Sequence, residues 1–136
     1  MHRSIQIRGI VFAAIAVILG AFGAHALKAL LPLDRLQVFE TGVRYQIIHA
    51  IALIVLSLAM VNAKKYEHSD LATKWMQRAA LCMTIGIVLF SGSLYLIATS
   101  SILPFTLGAW VGPITPLGGL FFITGWTCWG IASYRG

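Results

Sequence analysis

The sequence predicts an all-α fold, a four-helix transmembrane bundle with a short interfacial helix between the first and second spans. Two observations carry that prediction. The first is composition: 59% of the 136 residues are hydrophobic and only 10% are charged, with a mean hydropathy of +0.86. A water-soluble domain of this size coats itself with roughly 25% charged residues, and this chain cannot supply that coat. The second is the spacing of the charges. Gly9–Leu27 and Tyr45–Ala63 hold no Lys, Arg, Asp or Glu over 19 residues each, and Ala79–Tyr134 holds none over 56. A spanning helix needs about 20 apolar residues, so the first two runs are one span each. The third accommodates two spans, broken where Pro104, Gly108, Gly112, Pro113 and Pro116 interrupt helix formation. The expected spans are 9–29, 45–63, 76–99 and 114–134, in a single membrane domain covering residues 1–136.

The first helix follows Arg3 and Arg8, the arrangement of a secretory signal. Its apolar run is close to a full bilayer width, however, and no convincing cleavage site precedes Lys28, so a retained helix is expected. Ala13, Ala16, Gly20, Gly23 and Ala24 fall within an arc of roughly 100° and predict a close packing seam. His25 lies about 140° from Gly20 and off that seam.

Between the first two spans runs LLPLDRLQVFETGVRYQ. Pro32 ends the first helix, and Asp34 is placed to cap the next with Gln37 at the third helical position. Leu36, Phe39 and Val43 share an apolar face, which predicts a short helix lying in the interface and running on towards the second span. Glu40 and Arg44, four apart, are spaced to pair. The second span opens YQIIHAIAL, where Tyr45, Gln46 and His49 share one face.

The segment AKKYEHSDLATKW is the most polar of the chain. Ser69 or Asp70 is expected to cap the third helix, Trp75 and Arg78 to anchor it, and His68 to be a solvated loop residue. The third span ends FSGSLYL, and the fourth begins GPITPLGGLFF and closes with Trp126, Trp129 and Tyr134 in the inner aromatic belt. Trp110 marks the outer interface.

Four spans put both termini on one side with the loop between spans two and three. That side carries Arg3, Arg8, Lys64, Lys65, Lys74, Arg78 and Arg135, against Lys28, Arg35 and Arg44 on the other. The excess predicts cytoplasmic termini and a multi-pass plasma-membrane location. The net charge of +6 is therefore split into small juxtamembrane groups, which gives no continuous stripe for nucleic acid.

In this arrangement the polar side chains gather in the outer half: His25, Glu40, Arg44, Tyr45, Gln46, His49, Ser91, Ser93, Tyr95 and Thr115. Polar groups at membrane depth are functional candidates by default. The expected site is an outer-facing polar pocket in a non-enzymatic binding or accessory protein, accepting a small molecule, a lipid or a membrane-protein partner. The plainer alternative is a hydrogen-bonded plug tying helix ends together. A haem or metal site on His25 and His49 is a third reading, weakened because two histidines without a cysteine or carboxylate at fixed spacing carry little specificity. A transporter is a fourth, although no acid lies deeper than Glu40, so it would need an oligomer. Cys82 and Cys128 sit in inner halves and read as small apolar residues. No CxxC, GxSxG or HExxH motif and no phosphate-binding glycine loop occurs, so neither a nucleophile nor a cofactor is implied.

GAFGAHAL, YQIIHAIAL, FSGSLYL and GPITPLGGLFFITGW, in that order, resemble the YgdD-like and transmembrane-protein-256-like family of small membrane proteins, domain of unknown function number 423. The resemblance covers nearly the whole chain. It implies four transmembrane helices in a bacterial inner membrane or its equivalent, and it implies no reaction.

Overall fold

The computed structural model describes residues 1–65, 70–104, 106, 108 and 110–135, with Lys64 and Lys65 as backbone. Among the described residues, four long helices make up the fold: α1 His2–His25, α2 Leu33–Lys65, α3 Asp70–Thr99 and α4 Val111–Arg135. Each is long and apolar enough to cross a bilayer.

The α1–α2 connection is tight. A 3₁₀ turn, Leu27–Ala29, folds the chain back while Leu27 and Leu31 insert into a small core with Leu36, Phe39 and Ala98. The Pro32 carbonyl accepts the amide of Leu36 and opens α2. Asp34 therefore lies inside the first turn, where its charge complements the helix dipole, rather than at the expected cap. No separate interfacial helix interrupts the segment: residues 33–44 are the first three turns of the unbroken α2. The physical reason is that no proline lies between Leu33 and Lys65, and the single glycine, Gly42, is tolerated within a helix. Leu36 and Phe39 also gain more by burial against α3 than by lying in an interface. The expected Ser69 cap and the His68 loop position lie outside the described residues.

Helix α2 is the centre of the assembly. Half of its apolar window is buried, against 17% for α1, which packs on α2 and presents its other side outward. The small-residue seam forms largely as its spacing predicts. Ala16 and Gly23 are buried, and the Phe39 ring lies over Gly23. Ala24 is exposed, and Gly9 extends the seam at the other end, where an added Cβ would stand 2.8 Å from the Ala50 carbonyl oxygen. Such approaches hold helices together in lipid, where the hydrophobic effect contributes little between them.

Helices α3 and α4 form the second tight pair, through Gly118 against the backbone of Phe90 and Gly125 against Met83. Helix α3 widens into a π turn at Ile87–Ser91, beside that closest approach. Pro113 and Pro116 fall in the opening turns of α4, where a missing amide is tolerated. Beneath the π turn, Leu53, Leu56, Met83, Phe122 and Cys128 belong to one apolar core.

Candidate functional site

Three sets of side-chain bonds cross the helices, two in the half of the bundle away from the termini and one near its middle. Gln46 is buried and bridges three helices. Its amide nitrogen donates to the Phe12 carbonyl at 2.9 Å, and its amide oxygen accepts the Tyr95 hydroxyl at 2.9 Å. The Tyr95 ring can lie flat enough to reach Gln46 because Gly42, one turn earlier on α2, has no side chain: a Cβ there would stand 2.8 Å from the ring. Ser93 gives its proton to the Phe90 carbonyl at 2.9 Å, so the 2.7 Å contact with Thr115 is a bond donated by Thr115.

His49 forms the third set. Its Nδ1 lies 2.8 Å from the Tyr45 carbonyl oxygen, and the Trp126 indole donates to its Nε2 at 3.1 Å. An indole N–H can only donate, so Nε2 is the bare nitrogen and Nδ1 carries the proton. The ring also stacks on Phe122 with centroids 3.5 Å apart and planes 9° apart. Tyr45, Phe90 and Phe122 continue the cluster, so the gap between α2 and α4 at this level is filled with rings.

The structure thus brings Gln46 to Tyr95, Ser93 to Thr115 and Tyr45 to His49. It does not bring His25, Glu40 or Arg44 into these bonds. All three are exposed, and no ion pair joins Glu40 to Arg44. Tyr45 is 40% exposed at the edge of the ring cluster. Ser91 is fully buried in the π turn, and its hydroxyl is without a partner among the described residues. Both nitrogens of His49 are committed, so a metal or haem iron would have to displace one of these bonds.

Sequence reasoning missed several members. Trp126 reads as an inner-belt anchor, yet it serves His49. The available signal was the four-residue spacing of Gly118, Phe122 and Trp126 along one face of α4. Arg35 donates to the Ile97 carbonyl at 2.7 Å and to the Ser100 hydroxyl at 3.2 Å, fastening the start of α2 to the end of α3. That partner is a backbone carbonyl, which no side-chain pattern reveals. Arg8 likewise reaches Thr84 at 3.2 Å.

A cavity of about 250 Å3 lies at the opposite end, between α2, α3 and α4, lined by Ala59, Asn62, Ala63, Met76, Trp129, Ala132 and Ser133. An open groove adjoins it along Trp126, Trp129, Gly130 and Ser133. The cause is side-chain size. Near the middle of α2 the α2–α4 gap receives Tyr45, His49 and Phe122, whereas Ala59, Ala63 and Ala132 leave it unfilled near the termini.

These features define a class, an all-α integral membrane protein of four spanning helices clasped by buried polar bonds. Similarity to known proteins agrees. Residues 19–119 match the profile of a family described as "Protein of unknown function (DUF423)". The chain is 40% identical over 129 residues to the UPF0382 membrane protein YwdK of Bacillus subtilis (strain 168), covering 95% of this chain and 94% of the relative. It is 35% identical over 130 residues to the UPF0382 inner membrane protein YgdD of Escherichia coli (strain K12), covering 93% and 88%. A UPF0382 membrane protein of Haemophilus influenzae is 35% identical over 121 residues, covering 88% and 84%. No solved structure matches. The chain belongs to the DUF423 family of membrane proteins.

Proposed function

We propose that this protein is a non-enzymatic binding protein of the bacterial inner membrane, with both termini cytoplasmic, that holds an amphipathic ligand between α2 and α4. The observation that carries the reading is the crevice of about 250 Å3, apolar on its walls and with exposed Asn62 and Ser133 at its rim. Ligand sites have this character, apolar walls with a few placed polar groups. The outer polar residues then act as the clasp that fixes the helices, since Gln46, Ser93, Tyr95, Thr115 and His49 satisfy one another or nearby backbone. The sidedness rests on the seven basic residues at the end with the termini against three at the other.

Quenching by a brominated alkyl detergent tests the reading. In a Trp75→Phe, Trp110→Phe background, Trp126 and Trp129 report on the crevice and its groove. Filling the crevice with Ala59→Phe should reduce the quenching. Equal quenching with and without the added ring would refute the proposed site. A second reading, contact with a membrane-protein partner, is favoured by one observation: Tyr45, Arg44 and Glu40 stand exposed together on one stretch of α2.

A further inference from the structure

The chain has two cysteines, Cys82 on α3 and Cys128 on α4, and both are free thiols. We infer that they form a reversible dithiol–disulfide site, which a peroxide closes to join α3 to α4. Helix register brings them together. Phe90 meets Gly118, Gly86 meets Phe122 and Met83 meets Gly125, so each step forward along α3 is matched by a step back along α4. That register sets Cys128 level with Ala80, two residues or about 3 Å along the axis from Cys82. Each cysteine also has the same place on its helix. Cys82 follows Ala79 by three residues and precedes Gly86 by four, and Cys128 stands in the same way between Gly125 and Ala132.

Both thiols flank the seam on one side. Thr84 turns to α1, where it accepts Arg8, and Trp126 turns to α2, where it serves His49. Cys82 lies about 160° round α3 from Thr84, and Cys128 about 160° round α4 from Trp126, so both stand on the flank away from α1 and α2. A Cα–Cβ bond tilts towards its helix N-terminus. The helices are antiparallel and Cys82 is the farther from the end carrying the termini, so the two side chains lean towards each other. A disulfide needs Cα atoms within about 7 Å, a spacing that helices reach only where small residues admit close backbones. Gly125 does so here: a Cβ on it would stand 3.3 Å from the Ala79 carbonyl oxygen and 3.4 Å from the Met83 amide nitrogen. The two thiols are near enough to interact electrostatically.

Cys82 is partly exposed and Cys128 is buried, so a peroxide reaches Cys82 first. The Cys82 sulfur attacks one peroxide oxygen, the O–O bond breaks, one water leaves and the sulfur keeps a hydroxyl as sulfenic acid. The Cys128 sulfur then displaces that hydroxyl, which leaves with the Cys128 thiol proton as a second water. Two thiols have given up two hydrogens and two electrons, and one peroxide has become two waters. A dithiol reductant reverses the bond by exchange. On the proposed sidedness this half of the bundle is cytoplasmic, where such bonds are transient and respond to oxidants.

Hydrogen peroxide treatment of the full chain in liposomes tests this, followed by alkylation with N-ethylmaleimide in dodecyl sulfate and intact mass spectrometry. The product should be a monomer two hydrogens lighter that takes up no maleimide, and dithiothreitol should restore both alkylation sites. Peptide mapping should find the segment holding Cys82 joined to the one holding Cys128. In Cys128→Ser the same oxidant should add oxygen to Cys82, with no loss of two hydrogens. The unaltered chain decides by itself should that variant fail to fold. Oxygen added separately at each cysteine of the unaltered chain, disulfide-linked dimers in place of the lighter monomer, or two maleimides taken up after oxidation would each overturn the pairing.

Discussion

Replacing Gly118 by alanine is the sharpest test of how this bundle is held together. The added methyl would stand 2.8 Å from both the Cα and the Cβ of Phe90, with the Phe90 amide nitrogen closer still. Carbon atoms rest at about 3.5–4.0 Å, so α4 must retreat by about 1 Å, and the obstacle is backbone that cannot rotate away. Overpacking of this kind costs about 1–3 kcal/mol. The retreat also strains the Ser93–Thr115 bond, one turn before Gly118, and the His49–Phe122 stack, one turn after it. An interhelical bond in lipid contributes about 0.6 kcal/mol. Alanine's helix preference returns about 0.5–1 kcal/mol, leaving a net loss of about 1–3 kcal/mol. Gly130 lies on the same helix with nothing within 4 Å of its virtual Cβ, so Gly130→Ala keeps only the gain. The two substitutions should shift stability in opposite directions, separated by roughly 1.5–4 kcal/mol, or about 10- to 1000-fold in the unfolding constant. Reversible unfolding in mixed micelles of rising dodecyl sulfate content, followed by circular dichroism, measures both. Gly118→Ala as stable as Gly130→Ala would refute the close α3–α4 approach.

Other consequences are as direct. In a double-mutant cycle, Gln46→Leu and Tyr95→Phe should couple by about 0.6 kcal/mol and by no more than about 1.7; additivity within error would mean that their bond does not form. Nitrogen-15 spectra of labelled protein should show His49 neutral with the proton on Nδ1, and Trp126→Phe should move the Nε2 resonance most, since it removes that nitrogen's donor. Arg35→Ala should destabilise by about 1.5–3 kcal/mol, the range for hydrogen bonds to a charged group, and a silent substitution would remove the α2–α3 fastening. With Cys82 and Cys128 replaced by serine, a cysteine at Leu33 should react with an impermeant maleimide in intact cells while one at Lys65 should not. The reverse pattern would invert the proposed sidedness.

The spanning helices were legible because lipid imposes a coarse rule that charge-free runs obey. The α1 seam was legible for the same reason, since small residues repeat at helical spacing whatever they pack against. The interfacial helix misled because an apolar stripe on residues 36–43 suits a bilayer surface and a neighbouring helix equally; only the burial of Leu36 and Phe39 against Ala98 decides. The polar residues of the outer half were identified by type and depth, but not by partner. Gln46 and Tyr95 are 49 positions apart, and His49 and Trp126 are 77 apart. Side-chain periodicity fixes a face of one helix and says nothing about which face of another it meets. The bonds to the Phe12, Tyr45 and Ile97 carbonyls were further out of reach, because every residue type carries that acceptor.

The bundle's two ends differ for one structural reason. Helices α2 and α4 touch chiefly through long side chains, so whatever projects between them decides whether their gap is solid. Midway along α2 His49 fills it, and its two hydrogen bonds and its stack on Phe122 leave the ring no freedom to swing aside. Ten residues further along α2, alanine at 59 and 63 faces alanine at 132, and the Trp129 ring lines the space without closing it. Rigidity at the level of His49 would hold the crevice open beyond it. Helices free to tilt would collapse onto the alanines, because lipid-exposed helices gain dispersion contacts by approaching. Loosening the clasp with His49→Leu should therefore narrow the crevice from a distance and lower detergent quenching of Trp129, although residue 49 does not line the cavity. Unchanged quenching in a folded His49→Leu protein would show that the two ends are independent.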